Sequence, residues 1–197
     1  MNFIIRQAKA NESRELAELI NHAGKSDKCR GLDLYAWSMS AKAGEDPYDI
    51  GAREILSVES YYSYKNMRVV EADGKIAALS MSFTVKAKTA EEMEEVPELF
   101  KVFKELTNTI DGCYYLDSLA AHPDFRGMGF GRVILEDTIN LARQGGFDAV
   151  YLLAFEKNIP AISLYAKNDF YPIRDLPAPD HPEMPYDGKV VLYKKEL

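Results

Sequence analysis

A glycine-rich turn set between an apolar segment and an amphipathic one constrains this chain more than any other stretch. Tyr114–Ala121 (YYLDSLAA) is a mostly apolar run of strand length, followed at once by His122-Pro123. Proline cannot donate to a sheet ladder, so the strand is expected to end there. Arg126-Gly127-Met128-Gly129-Phe130-Gly131 then places glycines at alternate positions. Beyond them Ile134, Leu135, Thr138, Leu141 and Ala142 recur as one face of a helix, which Gly145-Gly146 stops. The spacing predicts strand, glycine turn, helix.

A turn of this kind exposes unpaired backbone N–H groups at the positive end of a helix dipole, and glycines remove the side chains that would block close approach. Phosphate is the chemistry that uses such a feature. Two familiar phosphate motifs do not fit. The Walker A loop ends in Gly-Lys-[Ser/Thr], whereas this turn ends Phe130-Gly131-Arg132. A dinucleotide fingerprint needs G-x-G-x-x-G and an acidic residue about 20 positions on. The glycines here are spaced G-x-G-x-G, and no second strand ends in such an acid.

The pattern that does match is R-x-x-G-x-G, and the downstream chain extends the match. Ala149–Ala154 (AVYLLA) reads as a buried strand, and Asn158-Ile159-Pro160-Ala161 opens a helix carrying Leu164-Tyr165 and ending near Asn168-Asp169-Phe170. Together these resemble the acyl-coenzyme A motif and the following N-x-x-A-x-x-L-Y segment of the GNAT superfamily of N-acetyltransferases. Asp169-Phe170 departs from the Gly-Phe-like pair usual at that turn. The resemblance covers residues 67–197, and 1–20 through an opening strand and helix. It implies a three-layer α/β/α fold with a mixed, mostly antiparallel central sheet, as one domain over residues 1–197. A length of 197 residues agrees with a single core.

Acetyl-CoA is the cofactor the resemblance implies. Arg126, Gly127, Met128, Gly129, Gly131 and Arg132 match the diphosphate motif. The strand backbone at Leu119 and Ala121 would pair with the pantetheine arm, and Asn158 would hydrogen-bond it. Tyr165 occupies the position that protonates the departing thiolate; its plainer reading is an aromatic packed against the sheet. Asp117, in the motif strand, is the foremost sequence candidate for the base that accepts the amine proton, with Glu183 and His181 behind it. The implied activity is direct acetyl transfer to a primary amine of a small molecule or peptide. A non-catalytic acyl-CoA-binding or regulatory domain on the same fold is the alternative.

Composition narrows the partners. A net charge of −7 lacks the basic footprint of a nucleic-acid binder and suits a cationic acceptor. Cys29 and Cys113 make no disulfide framework, and His22, His122 and His181 show no metal spacing. No apolar run reaches about 18 residues, so no membrane span is expected, and the N-terminus has no signal-peptide segment. A cytoplasmic protein is expected, and a homodimer is compatible.

Elsewhere, Phe3–Ala8 reads as a strand and Asn11-Glu12-Ser13 as a helix start with Leu16, Leu19 and Ile20 on one face. Residues 31–42 and 49–61 are expected to be helical, split by Gly44-Glu45-Asp46-Pro47. Tyr35, Trp37, Tyr61, Tyr62 and Tyr64 there are expected mostly to fill the core, with the Tyr61–Tyr64 group able to face an amine. Met67–Ala72 and Lys75–Val85 are strands joined by Asp73-Gly74. Glu91–Glu95 reads as a solvated loop or helix start, and Leu99–Thr107 as a helix. Asp175–Gly188, with four prolines, is expected to be a loop before a last strand at Lys189–Tyr193.

Overall fold

The computed structural model describes residues 2–197. Strands β1 (Phe3–Gln7), β2 (Met67–Ala72), β3 (Lys75–Thr84), β4 (Tyr114–Ala121), β5 (Ala149–Phe155), β6 (Tyr171–Pro177) and β7 (Lys189–Glu196) form one sheet in the order β1-β2-β3-β4-β5-β7-β6. Only β4 and β5 run parallel. The helices are α1 (Ser13–Asn21), α2 (Leu32–Ser40), α3 (Pro47–Leu56), α4 (Ala90–Glu94), α5 (Glu98–Thr107), α6 (Phe130–Gln144) and α7 (Ile159–Ala166).

The sheet is covered on both faces, which gives the three layers expected. On one face Leu135 and Ile139 of α6 and Tyr165 of α7 pack on Leu116, Val150 and Leu152. On the other, Leu16 and Ile20 of α1 meet Val69, Leu79 and Met81, while Val102 and Leu106 of α5 meet Val190 and Leu192. Alternation along β7 produces this division: Val190 and Leu192 face α5, Val191 and Tyr193 face the opposite cluster. A buried hydrogen bond of 2.8 Å from Thr138 to Ser80 fixes α6 over β3. Among the described residues, no helix is long and apolar enough to cross a membrane.

Two expectations need correction. The proline-rich stretch from Asp175 is not wholly loop, because Tyr171–Pro177 forms strand β6 on β7. It lies at the sheet edge, where a proline that cannot donate leaves no ladder bond unmade, and its register slips between Pro172 and Arg174. The helix expected at 49–61 begins earlier and ends earlier. Pro47 serves as its first residue and Asp46 accepts from the Tyr48 N–H at 3.0 Å. Its end at Leu56 leaves Tyr61 and Tyr62 in a loop.

Candidate active site

The glycine turn has the geometry its sequence demanded. Gly127 (φ 77°) and Gly129 (φ 86°) are left-handed, and a Cβ on either would find nothing within 4 Å. The turn is therefore an open cradle rather than a packed corner. Arg132 and Val133 N–H groups reach back to the Gly129 carbonyl. Those of Phe130 and Gly131, in the first turn of α6, have no helical acceptor and point out of the helix end. Met128 differs: its N–H is bonded to the Phe125 carbonyl and its side chain is exposed. The exposed Arg126 adds charge here, and Arg132 pairs with Glu136 at 2.7 Å.

Next to the cradle the sheet opens. β4 pairs with β5 at Tyr114, Tyr115 and Leu116, and no further. On its other side, Leu116 lies opposite Ser82 and Ser118 opposite Met81, so Asp117 has no partner on β3. This is a β-bulge, and it breaks the alternation of the strand: Leu116 and Leu119, three apart, both pack in the cluster beneath α6. Past the bulge β4 and β5 diverge, leaving the edge from Asp117 to Ala121 unpaired toward β5. An extended chain can lie in that gap and use the free backbone groups.

A cavity of about 630 Å³ opens from the gap, and Asp117, Leu119, Ala154, Asn158 and Tyr165 line its inner end. Tyr165 is 7% exposed, and its hydroxyl has no hydrogen-bond partner among the described residues. Burial pushes that phenol up to about 12, so it is a proton donor across the whole physiological range. Asp117 accepts from the Ser118 hydroxyl at 2.9 Å. Burial raises its carboxyl; Lys104 and Ser118 pull the other way and Glu54 adds to the rise. A carboxylate lifted from its ordinary range is a better proton acceptor.

In the remaining walls Tyr61 and Tyr62 were expected to be able to face an amine, whereas the acids were not legible as a site in the sequence. Asp33 on α2 accepts from the Tyr62 hydroxyl at 2.7 Å. Burial, with Asp117 and Glu54 nearby, pushes its carboxyl up to about 6. Glu54 on α3 accepts from the Trp37 indole at 2.9 Å and from Ser60 at 3.3 Å. Tyr61 stacks on Phe83 with ring centres 4.7 Å apart, and Phe83 meets Tyr115 edge-on. Asn21 holds this wall together: its amide bonds the Arg30 carbonyl and the Leu34 N–H. Gly31 (φ 114°) lies so close that a Cβ would overlap the Asn21 amide.

Most expected site residues are brought together. Leu119, Asn158, Tyr165 and Asp117 line one cavity, with the glycine turn at the end of the same strand. Ala121 ends β4, opposite Ala78. Asn158 caps α7 by accepting from the Ala161 N–H at 3.4 Å. Glu183 and His181 do not line the cavity. Glu183 is paired with Arg30 at 3.0 Å, and His181 packs on Tyr35. Of the loop aromatics, Trp37 and Tyr64 pack in or on the core, while Tyr61 and Tyr62 face the cavity.

The family model described as Acetyltransferase (GNAT) family matches residues 33–170. The chain belongs to that family. It is accordingly an acyltransferase, and acetyl-CoA is the family's cofactor. The open cradle of Gly127 and Gly129, with the free N–H groups of the α6 end, fits the diphosphate of coenzyme A. No curated protein matches this GNAT chain. Solved structures share its fold. The polyamine N-acetyltransferase of Drosophila melanogaster superposes with a TM-score of 0.70 at 16% identity, over 100% of both chains. A putative acetyltransferase, YncA, from Salmonella typhimurium with acetyl-CoA gives 0.60 at 16% identity, over 100% of this chain and 95% of that one. The PaiA N-acetyltransferase of Thermoplasma acidophilum in complex with coenzyme A gives 0.58 at 15%, over 100% of both.

Sequence reasoning missed Asp33 and Glu54. Glu54 sits on a helix whose charge pattern looks like a solvated face, and Asp33 is the one charged residue of α2. The one available signal was the unusual mix in α2, where an acid stands among apolar residues (LDLYAW).

Proposed function

We propose that this protein transfers an acetyl group from acetyl-CoA to a primary amine, directly, within a ternary complex. The observation that carries the reading is the Tyr165 hydroxyl: carried on a buried ring, without a hydrogen-bond partner among the described residues, and open to the cavity at the point where β4 and β5 part. A purely core aromatic would have no reason to turn its hydroxyl to the cavity.

Bound acetyl-CoA supplies the activated thioester. The glycine turn grips the diphosphate through Gly129, Phe130 and Gly131 N–H groups, and the free edge of β4 at Leu119 and Ala121 aligns the pantetheine arm. Holding both reactants in one cleft removes the entropic part of the barrier. A lysine-like amine of pKa about 10.4 costs about 4.6 kcal/mol to deprotonate at pH 7. Asp117, raised by burial, accepts that proton directly or through water. Tyr165 then donates to the departing thiolate. The neighbours solved with coenzyme A or acetyl-CoA support the cofactor assignment.

The test is a panel of amines with acetyl-CoA, following free thiol and the mass of the acetylated product together. Thiol release that depends on the amine, with a mass gain of one acetyl group, supports the reading. A protein stabilised by coenzyme A that acetylates no amine in the panel would instead be the non-catalytic binder.

A further inference from the structure

The cavity contains a carboxylate that acetyl transfer to a simple amine does not use. Asp33 stands on α2, a different wall from Asp117, and reaches the cavity beside Glu54. Its Tyr62 partner is neutral, as are the Trp37 and Ser60 partners of Glu54 and the Ser118 partner of Asp117. Among the described residues, no lysine or arginine comes within 4.0 Å of any of the three.

That is not how this molecule treats its other half-buried acids. Glu12 is paired with Arg6, Asp137 with Arg68 and Glu183 with Arg30. Burying a carboxylate is costly unless a cation compensates. Lysines do line the cavity, Lys86 and Lys88 ahead of α4 and Lys104 on α5. Lys104 offsets Asp117 through space, but none of them forms a pair with Asp33 or Glu54. Among the described residues, no cation of the chain pairs with the acids of α2 and α3, which leaves that place to a ligand.

The reacting nitrogen does not keep that place, because it gives its proton to Asp117 before it attacks. A second positive charge on the same acceptor meets the requirement. The same cavity has an aromatic wall, built from Tyr61, Tyr62, Phe83 and Tyr115. Methylene groups pack on such rings, and their faces also attract cations. Resting on the amine-acetylation reading, we propose that the acceptor is an alkylamine with a second cation at the far end of a short methylene chain, selected by Asp33. Tyr62 positions the Asp33 carboxylate, and Glu54 adds negative potential behind it.

The test compares acceptors of one backbone length: 1,4-diaminobutane, agmatine, butylamine and 4-aminobutanoate. A charge-assisted hydrogen bond to a distal cation predicts kcat/KM at least about tenfold higher for the first two than for butylamine, with 4-aminobutanoate poorest. Asp33→Asn should cut that preference about tenfold, chiefly through KM. Equilibrium binding of diaminobutane and butylamine to the coenzyme A-loaded protein reads the same discrimination without turnover. Should Asp33→Asn not fold, Tyr62→Phe keeps the ring, frees the carboxylate to move, and should lower the preference by less. Butylamine turned over and bound as well as the two cationic acceptors would overturn this inference and leave amine acetylation standing. Absence of turnover with every amine, alongside selective diamine binding, would overturn acetylation and leave Asp33 as a cation selector.

Discussion

The cofactor half and the acceptor half of the cavity differ in how the chain makes them. The cofactor half comes from one continuous run, β4, the glycine turn and α6, joined by α7 shortly after. Its proposed grip lies in backbone groups: free N–H groups at a helix end and the unpaired edge of a splayed strand. The acceptor half takes Asp33 from α2, Glu54 from α3, Tyr62 from the loop after α3 and Phe83 from β3. Its grip lies in side chains. A backbone site constrains the sequence tightly, because only glycine permits the conformation and the approach. A side-chain site can be assembled from many positions, so acceptors can change while the cofactor machinery stays the same.

The largest effect expected lies in the cofactor half. Gly129→Val puts a β-branched residue at φ 86° with its bulk in the cradle. At a coenzyme A concentration of about 100 dissociation constants, wild-type protein should gain about 2.7 kcal/mol of stability, and the variant should gain none. Gly131→Ala sharpens the comparison. Its added Cβ would only touch Leu119 and Leu164 at 3.8 Å, without positive φ, so it should fold normally. Thermal melts with and without coenzyme A read both. A full ligand-induced shift in Gly129→Val would show that the turn serves the fold alone.

At the junction of the two halves, Tyr165→Phe keeps the ring among its neighbours Phe170 and Tyr193 and removes the hydroxyl. We expect kcat to fall about 10²-fold with little change in cofactor affinity, since the hydroxyl acts mainly in the transition state. Unchanged kcat, where chemistry limits turnover, would return Tyr165 to the core.

A smaller loss is expected from Asp117→Asn, about tenfold, below the usual range of about 10²–10⁴ because water can still carry the proton. The pH profile separates a base from a structural carboxylate. Rate should rise with pH on an acidic limb that lies above the ordinary aspartate range, and the limb should vanish in the variant. A limb that persists in Asp117→Asn would assign the base elsewhere.

The smallest effect belongs to the acceptor half and is one of stability. The Asp33 carboxyl, pushed up to about 6 from 3.8, holds a proton in the folded state that the unfolded chain releases first. Its contribution is therefore complete below pH about 4 and is lost as pH rises through 6. The full span corresponds to about 3 kcal/mol, reduced by whatever solvent reaches the cavity. Asp33→Asn should flatten the fall in melting temperature between pH 4 and 7. The same slope in both proteins would mean that Asp33 is well solvated.

By itself the sequence determined the strand-turn-helix at 114–144 and the strand and helix that follow, and with them the residues proposed for the cofactor end. These are local: glycine, proline and a repeating apolar face act over a few residues, whatever the rest of the chain does. Only the tertiary structure decided the rest. Asp117 is a bulged residue because β3 pairs with Leu116 and Ser118 around it, a register set by residues more than thirty positions away. Strand β6 exists because β7 offers it an edge, against the reading of its prolines. Asp33, Glu54 and Tyr62 became one wall because Asn21 and the close contact of Gly51 with Trp37 lock α2 and α3 against α1. Charges on helices carry no record of which faces will meet; burial by partners distant in sequence decides that, and with it what the acceptor site can hold.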